Sequence, residues 1–190
     1  MLKELVEKSR SKRSFVSGEA IPKELLLDWV DTARKCPAAR NLQPLKYKII
    51  STPEECARIQ PLTFWATSLP IKLPPKGKEP TAFIVICHDT EIAPEAPIFM
   101  IDVGIAAQTI MLRAAEDGFG GCMIGSAKSE TVYEALGLEK NLVPKLVLGL
   151  GRPDETVVLT DAENGDVGYY RDASNVHYSP KRKLEDIIIK

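Results

Sequence analysis

Residues 102–126 read DVGIAAQTIMLRAAEDGFGGCMIGS, and two different periods meet inside this stretch. From about Ile98 to Asp117 the residues are apolar nearly all round, which predicts a helix that must be covered on every side. In a chain of this size that means a central core helix or a dimer interface. Gly118 supplies the helix stop, and Phe119 to Ile124 reads as a strand. The segment Ile98 to Ala115 approaches the length of a membrane span, but Asp102, Gln108 and Arg113 interrupt it. A buried helix is the better reading, and no membrane is implied.

Working outward, Thr81 to Cys87 (TAFIVIC) is a continuous apolar run rich in β-formers, the pattern of a strand buried on both faces. Tyr47 to Ile50 and Lys145 to Leu150 read as further strands. Leu2, Leu5 and Val6 mark a short amphipathic helix. In Pro22 to Lys35 the residues Leu26, Trp29, Val30 and Ala33 recur at helical spacing, and Pro37 ends the helix. Pro53 to Ile59 and Ser129 to Leu136 are short helices, the second closed by Gly137. PIKLPPKGKEP, residues 70–80, has no apolar period and reads as a linker or a surface lid. After Arg152 the chain turns polar and irregular until Lys181-Arg182-Lys183 and an apolar end whose Ile187, Ile188 and Ile189 should pack on something, such as a second subunit. Interleaved helices and strands without repeats predict one mixed α and β domain over residues 1–190.

Composition narrows the function classes. The chain has 190 residues with 25 Lys+Arg against 26 Asp+Glu, a net charge of −1. That length buries roughly 70% of the unfolded surface. The charge balance argues against a general nucleic-acid binder, whose affinity comes from cations neutralising phosphates. Cys36, Cys56, Cys87 and Cys122 form no CxxC pair and no zinc-ligand spacing, and His88 and His177 are the only histidines. No metal site is expected. The start, MLKELVEKSRSKR, lacks the apolar stretch of a secretory leader, so a reduced cytoplasmic protein is the simplest expectation.

Three constellations could carry chemistry. Arg10-Ser11-Lys12-Arg13-Ser14 sets cations and hydroxyls beside a helix end, where they could hold a phosphate; a solvated basic turn would look the same. Lys181-Arg182-Lys183 is a second basic cluster that could converge on the same anion. Cys36 to Pro44 (CPAARNLQP) is a small-residue loop able to approach a flat ligand, with Asn41 and Gln43 offering donors and acceptors; an ordinary helix-to-strand connection is the plain alternative. Gly120-Gly121-Cys122-Met123-Ile124-Gly125-Ser126 could expose backbone N–H groups at a strand end, or be a bulged strand. There is no P-loop, GxSxG elbow or HExxH. His88 and His177 read as surface or satisfied histidines, and Cys122 as a buried structural thiol. An enzyme without an evident acid, base or nucleophile borrows its chemistry from a cofactor.

Taken in order, RSKRSF (10–15), ARKCPAARNLQPLKY (33–47), the 102–126 block, LGLGRP (148–153) and PKRKLEDI (180–187) resemble the nitroreductase family of FMN-dependent oxidoreductases, as a compact member. The resemblance implies an α+β fold with a central, mainly antiparallel sheet flanked by helices. It also implies a homodimer with FMN at the interface and a C-terminal tail, residues 155–190, crossing to the partner. By motif position Arg10 and Ser11 would contact the FMN phosphate and Arg13 the ribityl and pyrimidine side, with Lys12 between them also counted as cofactor-binding. Pro37, Ala38 and Ala39 would contact the isoalloxazine of the partner subunit, with Asn41 and Gln43 close by. Gly121 and Cys122 would lie against the ring near N5, and Lys181 and Arg182 match the late phosphate-binding pair.

The chain departs from the family pattern in three places: Ser9 stands where many relatives have an arginine, Ala38 where a serine is common, and Arg40 is charged beside the expected ring. The implied activity passes electrons from NADH or NADPH through flavin N5 to a small acceptor, a nitroaromatic, quinone or similar molecule, in ping-pong fashion. No side chain is then required as catalyst, and Arg13 would steady negative charge on reduced flavin near N1. A non-catalytic FMN-binding redox sensor or flavin carrier is the alternative, and a ligand-free dimeric protein the plainest one.

Overall fold

In a computed structural model, which describes residues 1–189, the elements run α1 (Leu2–Lys8), α2 (Lys23–Ala33), β1 (Leu45–Ile50), α3 (Pro53–Ile59), β2 (Ala82–Asp89), α4 (Phe99–Glu116), β3 (Gly120–Ile124), α5 (Ser129–Leu136), β4 (Leu142–Gly151), β5 (Val157–Asp161), β6 (Tyr170–Arg171), β7 (His177–Lys181) and α6 (Leu184–Ile187). They divide into two compact units, Met1–Pro153 and the chain from Asp154 onward.

The first unit is built on a four-stranded sheet in the order β1-β2-β4-β3, with every neighbouring pair antiparallel. All residues of β2 are buried, as its unbroken apolar run predicts. Alternation sends Ala82, Ile84 and Ile86 to one face, where Leu26, Trp29, Val103 and Ile110 of α2 and α4 cover them. Phe83, Val85 and Cys87 face the other side, against Phe15, Ile59, Trp65 and Val132. The Trp29 indole N–H donates to Asp117 Oδ2 at 2.7 Å, and Arg113 joins Asp28 at 2.7 Å, so α2 and α4 are also latched at their rims.

Helix α4 is covered on one side only. Val103, Ala106, Ala107, Ile110 and Ala114 are buried, whereas Met100 and Ile101 stay 51% and 57% exposed. The expectation of cover all round is therefore not met within one chain. Among the described residues no helix is long and apolar enough to cross a membrane, and no group of His, Cys, Asp or Glu could hold a metal ion.

The second unit corrects the expectation of an irregular tail. It carries a three-stranded sheet in the order β5-β7-β6, with β5 and β7 parallel and β6 antiparallel to β7. Tyr170 and Tyr178 stack across the β6–β7 pair with ring centroids 5.0 Å apart, and a well-covered Arg171–Glu155 ion pair ties β6 to the unit's first residues. Cross-strand pairs of this kind stabilise short strands that sequence period alone does not reveal.

Candidate functional site

The basic segment 10–13 is laid along the sheet. β3 is the edge strand, and its outer side is met by Ser11, which forms a parallel bridge with Gly121. The Lys12 N–H donates to the Gly121 carbonyl at 2.7 Å. Two constellations more than a hundred positions apart thus become one strip. A Cβ at Gly121 would sit 2.1 Å from the Gly149 carbonyl oxygen on β4, so this glycine is demanded by sheet packing. Cys122 is buried opposite Gly149. Because strand groups alternate in direction, the next backbone turned to the open edge after Gly121 is that of Met123, a member of the same GGCMIGS constellation but not of the residues the resemblance assigns to the ring. Beyond it lies Gly125, where an added Cβ would meet nothing within 4 Å.

The cations along the strip are graded in exposure. The Arg10 guanidinium turns back onto the end of α1, donating from Nη2 to the Val6 carbonyl at 2.6 Å and from Nε to the Ser9 carbonyl at 2.9 Å. It caps carbonyls that the helix leaves over, with Nη1 committed to neither. Ser11 is exposed and Lys12 half-buried. Arg13 is only 9% exposed, and its Nη1 lies 3.4 Å from the Ser11 carbonyl. The donor set fits a phosphate ester joined to a flat ring: several cations and a hydroxyl lie beside a strand edge with room above it.

The loop Cys36–Pro44 assembles elsewhere in the first unit, around the start of α4. Ala39–Asn41 forms a single 3-10 turn. Arg40, Asn41 and Gln43 all adopt positive φ, at 53°, 56° and 52°. For Arg40 and Gln43 that conformation costs roughly 1–2 kcal/mol each, while asparagine tolerates it better, so neighbouring contacts must hold it. Two anchors come from α4. The buried Asp102 carboxylate, 4% exposed, accepts the Ala39 N–H at 2.9 Å on Oδ1 and 3.1 Å on Oδ2. The Cys36 thiol donates to Thr109 Oγ1 at 3.2 Å, because the Thr109 hydroxyl proton is already given to the Ile105 carbonyl at 2.9 Å. Gln43 Nε2 closes the loop on Asn41 Oδ1 at 3.2 Å. A cavity of about 130 Å³ beneath it is lined by Pro37, Ala38, Gln43, Tyr47 and Asp102. Burial there, with Cys36 and Asp102 nearby, pushes the Tyr47 hydroxyl up to about 12.

The sequence reading missed Asp102 as a site residue. The signal was present, a carboxylate closing the otherwise apolar first turn of the helix, since a buried charge needs donors.

Lys181 and Arg182 lie at the end of β7 in the second unit, both exposed, with the Lys181 carbonyl accepting the Ala162 N–H at 2.7 Å. His88 is buried and its Nε2 donates to the Ala93 carbonyl at 2.8 Å, a satisfied histidine. His177 is not on an open tail; it is buried in β7, its ring 5.4 Å from that of Tyr169. Nor is the 70–80 segment a loose linker. Leu73 is buried, and the Lys78 carbonyl accepts the Phe15 N–H at 3.1 Å. A cavity of about 880 Å³ is lined by Phe64, Trp65, Ile71, Lys72 and Leu73, and Ser126 Oγ donates to the Phe64 carbonyl at 2.5 Å, fastening this wall to the chain just past β3.

Comparison with known proteins points to one family and one fold. The sequence profile of the nitroreductase family matches residues 6–152, a span that holds both the strip and the loop. YdgI of Bacillus subtilis (strain 168), whose name places it provisionally among the NAD(P)H nitroreductases, is 22% identical, with 78% of this chain and 87% of YdgI covered. A nitroreductase family protein from Streptococcus pneumoniae TIGR4 superposes with a TM-score of 0.74 over 100% of both chains at 17% identity. An FMN-dependent nitroreductase from Clostridium difficile R20291 gives 0.64 at 22% identity, covering 85% of this chain and 91% of that one.

Proposed function

The chain belongs to the nitroreductase family, and from that premise we propose that it is an FMN-dependent oxidoreductase drawing electrons from NADH or NADPH and passing them to a small organic acceptor such as a nitroaromatic or a quinone. Bound FMN would supply the redox chemistry, serving as the electron carrier between nicotinamide and acceptor. The protein's part is to bind, orient and shield. Arg10 through Nη1, Ser11 through its hydroxyl and Lys12 would hold the phosphate, with Lys181 and Arg182 as further cations. Arg13 would set a fixed positive charge where the reduced ring gathers electrons. Gly121, Cys122 and Met123 would offer the strand edge to the ring. Pro37, Ala38, Ala39, Asn41 and Gln43 would reach it from a second copy of the chain, and the segment 155–190 would cross between copies. The aromatic wall of Phe64 and Trp65 suits a flat acceptor. Four free thiols suit a reducing compartment such as the cytoplasm.

The observation that carries this proposal is the Ser11–Gly121 bridge, which seats the cationic segment against an open strand edge. The test is anaerobic mixing of FMN-loaded protein with NADH or NADPH. The flavin's yellow should bleach within seconds to minutes and return when a quinone or nitroaromatic is added. Protein that stays yellow with both nicotinamides is the sensor or carrier instead. A colourless preparation that takes up no added FMN would end both flavin readings.

A further inference from the structure

The CPAARNLQ loop is held in a shape its own residues do not favour, and the fixing contact comes from outside it. Arg40, Asn41 and Gln43 sit at positive φ without being glycine. Ala38, just before the turn, is extended at φ −129° and ψ 151°. The loop therefore reverses direction at Ala39, where both carboxylate oxygens of Asp102 converge on one backbone N–H. Asp102 stands in the first turn of α4, where the helix end also favours its negative charge, and it is buried. A buried carboxylate aimed at a single amide specifies that amide's position closely, because any other arrangement leaves the charge without a donor.

We propose that Asp102 is a positioning residue: by gripping the Ala39 N–H it sets the conformation in which Pro37, Ala38 and Ala39 meet the flavin. This rests on the FMN reading above. Asp102 touches no substrate or cofactor itself; it acts through the loop. The grip belongs to the folded chain with or without flavin, so its two halves are separable by experiment.

The first readout is amide hydrogen exchange on flavin-free protein. In Asp102→Ala the amides from Ala39 to Gln43 should lose protection while those of Leu148 and Leu150 in the sheet core keep it. The second is FMN titration by fluorescence quenching. Asp102→Ala should weaken binding by at least about tenfold, the scale of one hydrogen bond to a charged group. Asp102→Asn, whose carbonyl oxygen can still accept the Ala39 N–H, should stay within about threefold of the parent. Asp102→Ser, too short to span the gap, replaces the alanine variant should that one fail to fold. Parent-like FMN affinity in Asp102→Ala or Asp102→Ser overturns the proposal, as does equal loss in Asp102→Asn. A parent protein that binds no FMN, with Ala39 still released in the variant, would fault the flavin reading and leave the grip itself standing.

Discussion

Cys56 and Cys87 carry thiols that the fold silences. Burial pushes each up to about 11 from an ordinary value of 9.0, with Glu55 adding to the effect at Cys56. The thiolate is the reactive form, so at pH 8 only about one part in a thousand of either thiol is ready to react. Cys36 is the least buried of the four cysteines. A maleimide added to native protein near pH 8, followed by peptide mass spectrometry, should therefore mark Cys36 first and leave Cys56 and Cys87 intact. Their labelling should rise about tenfold per pH unit toward 11, and equal labelling of all four at pH 8 would contradict the burial argument. The same shifts bear on stability. A group whose folded value is raised keeps its proton longer when folded, so its contribution is complete below the unfolded value and disappears as pH climbs through the folded one. With Tyr47 raised to about 12 from 10.0 as well, the alkaline limb of the stability profile should fall between about pH 9 and 12.

The β4 strand shows how much of an element its own sequence discloses. Gly149 and Gly151 of LGLGRP face one side, and each makes room for an aromatic ring: a Cβ at Gly149 would lie 2.5 Å from the Trp65 ring, and one at Gly151 2.7 Å from that of Phe15. The two rings meet edge to face at 6.3 Å. Gly149→Ala must displace a buried indole, an overpacking cost of about 1–3 kcal/mol, or a drop of roughly 3–10 °C in Tm for a domain of this size. Thermal unfolding followed by circular dichroism checks it, and Trp65→Phe in the same chain should recover part of the loss. The period of TAFIVIC and the turn signals around Pro53–Ile59 and Ser129–Leu136 were enough to read those elements, because local pattern decided them. β4 was read three residues short at its start, since Pro144 argues against a strand interior; the protein accommodates it where the β2 register shifts between Ile86 and Cys87, opposite Pro144. At the site, the basic segment and the GGCMIGS strand were legible as candidates. Their pairing was not, because it joins Ser11 to Gly121 across the length of the unit. The strain at Arg40 and Gln43 was invisible for a different reason: long side chains give no warning of positive φ, whereas asparagine, as at Asn41, is among the residues that adopt it more readily.

At the scale of the whole molecule, the outer face of α4 is the feature one chain leaves unfinished. Ile98 at the N-cap and Met100 and Ile101 in the first turn are 46%, 51% and 57% exposed, and clustered apolar exposure marks a contact surface. Covering the remaining surface of each side chain is worth on the order of 1 kcal/mol, and a two-fold interface counts every such residue twice. The proposed homodimer would bring that gain together with the completion of the proposed site, because the loop proposed to meet the flavin is anchored to the same helix through Asp102 and Thr109. Ile101→Glu places a charge where the second copy would press, and burying it without a partner costs several kcal/mol. Sedimentation should then shift from twice the chain mass of 21.0 kDa toward a single chain, while the far-ultraviolet spectrum stays that of folded protein. FMN affinity should fall in step with the dimer and recover at protein concentrations high enough to restore it. A parent chain that sediments as a monomer and still binds FMN tightly would break this link, leaving the exposed face of α4 to some other contact and the loop at Ala39 to serve its own chain's site.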